Sequence, residues 1–213
     1  MMPPGEVWGY LRVRESEKTT LLGLSVNRGR RSRVLNRIMS TDKHGTLSLS
    51  GGVNVPFRLI RTDDVPALQR FHTRLSEKTI YLRFFGSLQE LPKEKAQFFA
   101  HVDGVDHLAF VALDPDDPHE IIALVRYDRE PGSEKAEYAA LVEDLWQGHG
   151  VGIALTRKLI DEARDKEVRF LYAMVMGKNK RMLELLRHLD LPEQERLEDG
   201  IKHVEVDIVS KAS

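Results

Sequence analysis

Apolar residues recur along this chain at two periods, and the switch from one to the other marks out its elements. From Pro56 onward the pattern is sharp. Phe57–Arg61 reads as a short strand. Thr62-Asp63-Asp64-Val65-Pro66 reads as a helix start, with a capping side chain and acids where the first amides lack partners. Val65, Leu68, Phe71 or His72, and Leu75 follow at helical spacing. A second helix follows Pro92 and places Phe98, Phe99 and Val102 on its buried face. Leu108–Leu113 and Ile121–Tyr127 read as strands separated by Asp114-Pro115-Asp116-Asp117-Pro118, whose residues favour a turn. Pro131-Gly132 turns the chain again, into the strand Lys135–Val142.

Beyond that strand the period changes. Gly150–Lys166 carries Ile153, Thr156, Leu159, Ile160 and Ala163 on one helical face, and Val168–Val175 returns as a strand. Lys135–Val175 therefore predicts a β-α-β unit, most simply a right-handed parallel crossover. Asn179–Leu189 predicts a helix with Met182, Leu185, Leu186 and Leu189 inward. Lys202–Ile208 closes as a strand in which Val204, Val206 and Ile208 alternate with His203, Glu205 and Asp207. Together these elements predict one mixed sheet with helices on both faces, an α/β (α+β) fold.

The first 50 residues show no convincing period. Val7–Val13 and Leu21–Val26 are candidate short strands, and Arg33–Met39 has the length of two helical turns. Ser48-Leu49-Ser50-Gly51-Gly52 reads as a flexible linker. The expected organisation is a peripheral arm over 1–52 and a domain over 53–213. The arm is basic: nine basic side chains stand against four acidic ones in the first 50 residues, a net of +5, which leaves −6 for the rest of a chain whose total is −1. An acidic body repels nucleic acid and tolerates a basic substrate, so the balance leans toward amines.

Composition removes several chemistries. There is no cysteine, which excludes a disulfide scaffold, a thiolate nucleophile and cysteine-built zinc sites, and fits a reducing cytoplasm. No apolar run reaches the roughly 18 residues that a membrane span needs, and the start has no apolar stretch of the signal-peptide kind. His101–His107 gathers metal-ligating side chains but in no standard zinc spacing, and Asp103-Gly104 at its centre marks a turn. Asp114–Asp117 lacks the glycine and final glutamate of a calcium loop. Nothing aromatic interleaves the basic run Arg28–Arg37, so a solvated arm is favoured over a nucleic-acid site. The reading is of a site with no metal.

One motif carries chemistry. Gln147-Gly148-His149-Gly150-Val151-Gly152 lies between a predicted strand and a predicted helix. Glycines let the backbone turn tightly and leave the amides uncovered, at a helix end whose partial positive charge suits phosphate or pyrophosphate. The spacing is not the G-x-G-x-x-G of a dinucleotide fingerprint, and no Gly-Lys-Ser/Thr follows as in a Walker loop. A glycine turn with no ligand is the plain alternative. His149, inside the turn, reads as a tolerated side chain that can contact phosphate.

Gln147-x-x-Gly150-x-Gly152 resembles the Gln/Arg-x-x-Gly-x-Gly/Ala signature of the GNAT acetyltransferases, in the same strand–loop–helix place, and the likeness runs from about Phe57 to Ile208. The resemblance implies an acyl-CoA N-acyltransferase fold: a mixed, mostly antiparallel central sheet flanked by helices, with a split at its centre that admits CoA. It implies acetyl-CoA as acyl donor. The amides of Gly148, His149, Gly150, Val151, Gly152 and Ile153, together with Gln147, would hold the pyrophosphate. Main-chain groups of Ala140, Leu141 and Val142 would bind the pantetheine arm, and Asn179 would stand beside the cofactor. Tyr81–Gly86, His107–Ala112 and Ala136–Ala139 are also similar to the GNAT domain of bacterial Pat-type protein lysine acetyltransferases.

An amine is protonated at neutral pH and must lose a proton before it attacks a thioester. Strand alternation puts Glu137 on one face with Ala139 and Leu141, and Glu137 matches the glutamate that lysine acetyltransferases of this type use as base. An ordinary edge glutamate is the alternative. One departure stands out: where many members have a tyrosine that protonates the leaving thiolate, this chain has Leu186. His188 nearby reads as an exposed helix residue. The expected reaction is acetyl transfer from acetyl-CoA to a primary amine, a small molecule or a protein lysine. The rival reading is an acyl-CoA-binding sensor domain without transferase activity. Oligomeric state stays open.

Overall fold

The computed structural model describes residues 43–210. The two candidate strands and the helix expected between Val7 and Met39 lie outside the described residues, as does most of the basic arm.

Among the described residues an eight-stranded sheet forms the body, in the order β1-β2-β3-β4-β5-β6-β8-β7. Its strands are β1 (His44–Ser48), β2 (Asn54–Leu59), β3 (His107–Leu113), β4 (Ile121–Arg129), β5 (Lys135–Val142), β6 (Phe170–Met176), β7 (Glu193–Glu198) and β8 (Ile201–Asp207). Every neighbouring pair is antiparallel except β5 and β6. The helices are α1 (Val65–Thr73), α2 (Glu77–Phe84), α3 (Lys93–Ala100), α4 (Val151–Asp165) and α5 (Lys180–Arg187).

Strand alternation divides the apolar side chains between two cores. Leu108, Phe110, Val125, Tyr127 and Tyr138 face α4 and α5, which return Leu155, Leu159, Ile160, Leu183 and Leu186. Ala109, Val111 and Leu124 face α1–α3, which return Leu68, Phe71, Ile80, Phe84, Ala96 and Phe99. Burying one such leucine or phenylalanine contributes about 1.5–3 kcal/mol. The predicted mixed sheet, covered on both faces, is the observed one, and the expected β-α-β unit is β5-α4-β6 with a parallel pair.

Three elements differ from the sequence reading. Residues 44–52, assigned to the arm and linker, form β1 and a tight turn instead. His44 pairs with Arg58 and Ser48 with Asn54, and Leu47, 4% exposed, joins the core. Gly51 and Gly52 take φ of +83° and +79°, so they close a hairpin. Only Leu47 of this edge strand is buried, too little alternation to betray it. Helix α2 was not predicted either. Ser76 caps it by accepting from the Thr79 amide at 3.2 Å, and its buried residues are only Ile80 and Phe84. Strand β7 is charged and almost wholly exposed, with no apolar period to find. Its turn into β8, Asp199-Gly200 at φ of +50° and +79°, is a hairpin signal that the sequence does carry.

Candidate functional site

The parallel pair at the middle of the sheet is short. Lys135, Ala136 and Glu137 of β5 register with Phe170, Leu171 and Tyr172 of β6, and the pairing stops there. From Tyr138 to Val142 the strand keeps its β4 neighbour alone. Backbone polar groups alternate between the two sides of a strand. The Glu143 amide donates to Ile122 of β4 at 2.9 Å, so the amides and carbonyls of Ala140 and Val142 point the other way, into the split. Ala139, Ala140, Leu141 and Val142 are all half-buried. The Val142 carbonyl accepts from Gln147 Nε2 at 2.9 Å.

Past Val142 the chain enters the glycine turn. Gly148 and Gly150 have φ of +82° and +87°, and a Cβ built on either would meet nothing within 4 Å. The amides here are therefore uncovered by side chains and approachable. Gly150 is the N-cap of α4, and the amides of Val151, Gly152 and Ile153, the first turn, have no intrahelical acceptor. Gly152 serves closeness instead: an added Cβ would lie 3.1 Å from Leu185 Cδ1 and 3.3 Å from Val142 Cγ2. Free amides, the positive end of a 15-residue helix and main-chain groups of β5 that face no neighbouring strand form a cradle suited to a pyrophosphate and an amide-bearing chain.

Gln147 fixes this turn to its surroundings. Its Nε2 also donates to Thr79 Oγ1 at 3.2 Å, and its Oε1 accepts from Arg181 of α5. Asp144 accepts from the Ser76 amide at 2.9 Å, from Ser76 Oγ at 2.7 Å and from Thr79 Oγ1 at 2.8 Å, so α2 is locked to the loop ahead of the turn. Those bonds hold the Asp144 carboxyl below its usual range despite partial burial. His149 is exposed, its Nδ1 3.1 Å from the Gln147 carbonyl oxygen. Asn179 Oδ1 accepts from the Met182 amide at 3.2 Å, capping α5, whose first turn lies beside the glycine turn through Arg181.

Glu137 stands at the last position of β5 that pairs with β6, opposite Asp128 on one side and Tyr172 on the other. It is half-buried, and among the described residues its carboxylate has no hydrogen-bond partner. Burial pushes its pKa up; Arg83 pulls it back, Asp128 raises it and Arg126 lowers it. Asp128 is already engaged by Arg126 Nε at 2.6 Å and His107 Nδ1 at 2.8 Å, which leaves Glu137 the unengaged carboxylate of the two. A raised pKa brings it closer to the neutral range where a base works best.

Arg83, Arg126, Asp128 and Tyr172 were not singled out from the sequence as site residues. Tyr81–Gly86 carried a family likeness, but only the fold brings Arg83 to Glu137. Leu186 is 3% exposed and buried in the core, while His188 is exposed, with Nδ1 2.7 Å from the Glu184 carbonyl oxygen. In the His101–His107 loop, Asp103 Oδ1 accepts from the amides of Val105, Asp106 and His107 at 2.8–2.9 Å, a structural use of that side chain. No helix among the described residues is long and apolar enough to cross a membrane.

Comparison with known proteins agrees with this fold. The family model described as Acetyltransferase (GNAT) family matches residues 71–190. An acetyltransferase of Pseudomonas aeruginosa is 31% identical over 143 residues, 67% of this chain and 77% of that protein. The GNAT domain of Pat from S. lividans superposes with a TM-score of 0.73 at 30% identity, over 79% of this chain and 98% of that one. A Salmonella typhimurium protein solved with its cofactor acetyl-CoA shares the fold at 14% identity, with a TM-score of 0.58 over 76% of this chain and 98% of that one.

Proposed function

The chain belongs to the GNAT acetyltransferase family, and from that premise we propose that it transfers an acetyl group from acetyl-CoA to a primary amine, with Glu137 as general base. One juxtaposition carries the reading. Strand β5 holds an unpartnered, half-buried carboxylate at Glu137, then main-chain groups with no strand neighbour at Ala140 and Val142, and it runs directly into the glycine turn.

Acetyl-CoA, when bound, supplies the acyl group already activated as a thioester. The amides of Gly148–Ile153 hold its pyrophosphate, with Gln147 fixing the turn that presents them. The Ala140 amide and carbonyl and the Val142 amide, with Leu141 between them, align the pantetheine arm much as a neighbouring strand would be aligned. Asn179 spends its carbonyl oxygen on capping α5, so it offers the cofactor only its side-chain N–H groups. Glu137 takes a proton from the acceptor ammonium, directly or through water, so that the nitrogen lone pair is free to attack the thioester carbon. The C–N bond forms as the C–S bond breaks, and the nitrogen sheds its second proton to water. Leu186 has no proton to give the departing sulfur, so water or another group does so.

The likeness to the GNAT domain of S. lividans Pat supports a protein lysine as the first acceptor to try, with polyamines, amino acids and amine antibiotics completing the panel. Release of CoA from acetyl-CoA, followed across that panel, tests the proposal. A positioned base contributes about 10²–10⁴-fold, so Glu137→Gln should slow turnover by that much while CoA still binds. A loss within about twofold, well short of that range, would remove Glu137 from the role. Tight acetyl-CoA binding with no amine acetylated would favour the second reading, an acyl-CoA sensor, which the buried Leu186 supports.

A further inference from the structure

The sheet face that carries Glu137 continues as an open surface beyond α1–α3. Residues opposite one another on neighbouring strands point to the same side. Register sets Glu137 of β5 against Tyr172 of β6, Tyr172 against Glu205 of β8, and Glu205 against Gln194 of β7. This row runs from the proposed base to the last strand of the sheet. The buried side chains of β6 and β8, among them Leu171, Ala173, Val204 and Val206, point the other way, into the core under α4 and α5. On the Glu137 side neither strand has a buried side chain, and among the described residues the core under α1–α3 takes nothing from β6, β7 or β8. An open groove of about 560 Å³ lies over these strands, lined by Lys135, Tyr172, Gln194, Arg196, His203 and Glu205.

Two carboxylates flank an aromatic ring in this row. Tyr172 is 38% exposed, and the Glu137 and Glu205 Cα atoms are two strand spacings apart, about 9–10 Å. Glu205 already accepts an alkylammonium: Lys135 Nζ donates to its Oε2 at 2.5 Å while lying 5.2 Å from the centre of the Phe170 ring. That pair is exposed, and exposed ion pairs are weak, so an incoming cation can take the place of Lys135. Arg196, the other full cation of the groove, is paired with Glu198 at 2.7 Å. Burial raises the Tyr172 pKa, and the charges of Glu137, Glu130 and Asp128 raise it further, so the ring lies in a negative field that favours cations. We propose that this row selects an aliphatic diamine as acceptor: one ammonium goes to Glu137, the other to Glu205, and the methylenes between them lie on the Tyr172 ring. The inference rests on the acetyl-transfer reading above, with Glu137 as base. An extended chain advances about 3.5 Å per three bonds, so the span suits about five to eight carbons. Acetylation turns one ammonium into a neutral amide, the product loses one of its two anchors, and the reaction stops at the monoacetylated amine.

The test measures CoA release with straight-chain monoamines, α,ω-diamines of matched length and blocked peptides carrying one lysine or two, in the parent, Glu205→Gln and Lys135→Met. A charge-assisted hydrogen bond to a ligand corresponds to about 10–150-fold. Lys135 competes for Glu205, so in the parent the diamine should exceed its matched monoamine in kcat/KM by about tenfold, the lower end of that range. The gain should lie in KM, because Glu205 holds substrate and transition state alike. Glu205→Gln should bring the diamine-to-monoamine ratio to within about twofold of unity, and Lys135→Met should raise it by freeing Glu205. The two substitutions act in opposite directions, so either one, folded, decides the matter. Mass spectrometry should find the monoacetylated product accumulating. Monoamines and diamines used alike, a ratio unmoved by either substitution, or a second-cation gain seen only with peptides would overturn the diamine subsite alone. A parent that binds acetyl-CoA yet acetylates no amine overturns the transfer reading, and the subsite with it.

Discussion

Gly150→Asp separates what the glycine turn does for the fold from what it does for the ligand. The position has φ of +87° with open space around the missing Cβ, so an aspartate there meets no clash within the protein and suffers only the left-handed conformation. That costs about 1–2 kcal/mol, and for a chain of this length about 2–4 °C in melting temperature per kcal/mol, or roughly 2–8 °C in all. The ligand effect is larger in kind. The new carboxylate sits over the Val151–Ile153 amides and competes for them, so a bound phosphate loses at least one charge-assisted hydrogen bond, about 1.5–3 kcal/mol, or roughly 10–150-fold in Kd. Like-charge repulsion adds to this. Gly150→Asn is the control: it tolerates the left-handed region and carries no charge. Both variants should share the melting loss, while Gly150→Asp alone should lose the greater part of CoA affinity, with a gap that narrows in high salt. Calorimetric titration at two ionic strengths measures this. Gly150→Asp binding CoA within about twofold of the parent, against the far larger loss expected, would refute the assignment of the turn.

Further outcomes can be checked alongside. A truncation beginning at residue 53 removes β1 and the burial of Leu47, about 1.5–3 kcal/mol, so it should melt at least about 3 °C below one beginning at residue 43; equal melting would show that β1 adds nothing. Because burial raises the Glu137 pKa in the folded chain, the folded state binds that proton more tightly, and this contribution to stability is lost as pH rises through the raised pKa. Glu137→Gln should therefore melt above the parent at neutral pH and converge with it in acid, which a pH series of thermal melts reads out. Arg83 lowers the Glu137 pKa, so Arg83→Met should move the acid limb of the pH–rate profile upward; a downward shift would contradict the charge assignment. Asp144→Ala deletes three acceptor contacts to Ser76 and Thr79 and should lower stability by about 1–3 kcal/mol, measured by urea denaturation.

Legibility in the sequence followed burial and backbone demand. The core strands β3, β4 and β5 and the helix α4 were readable because each buries a full face or stripe, and that leaves a period. The glycine turn was readable because Gly148 and Gly150 answer a backbone need that other residues meet poorly. Strands β1 and β7 are edges, one with a single buried side chain and the other with almost none, so the sequence between residues 44 and 52 looked like a linker. The split depends on register: nothing in Lys135–Val142 or Phe170–Met176 says that pairing ends after three residues. Arg83 and Asp128 come from separate elements: strand register sets Asp128 opposite Glu137, and only the packing of α2 on the sheet brings the charge of Arg83 to bear on it.

The brevity of the β5–β6 pairing has a mechanical meaning. The strands β1–β5 and the strands β6, β8 and β7 are two plates, sewn edge to edge over three residue pairs and backed by α4. Beyond Glu137 the two strands do not pair. A ligand lying along Ala140 and Val142 would act as thread, so its binding energy becomes resistance to pulling the plates apart: RT ln(1 + [L]/Kd), or about 2.7 kcal/mol at a hundredfold excess over Kd. Amide exchange should reveal it locally. Protection should rise first in Tyr138–Val142 and in the half of β6 beyond Tyr172, while the outer strands β1 and β7 exchange as before.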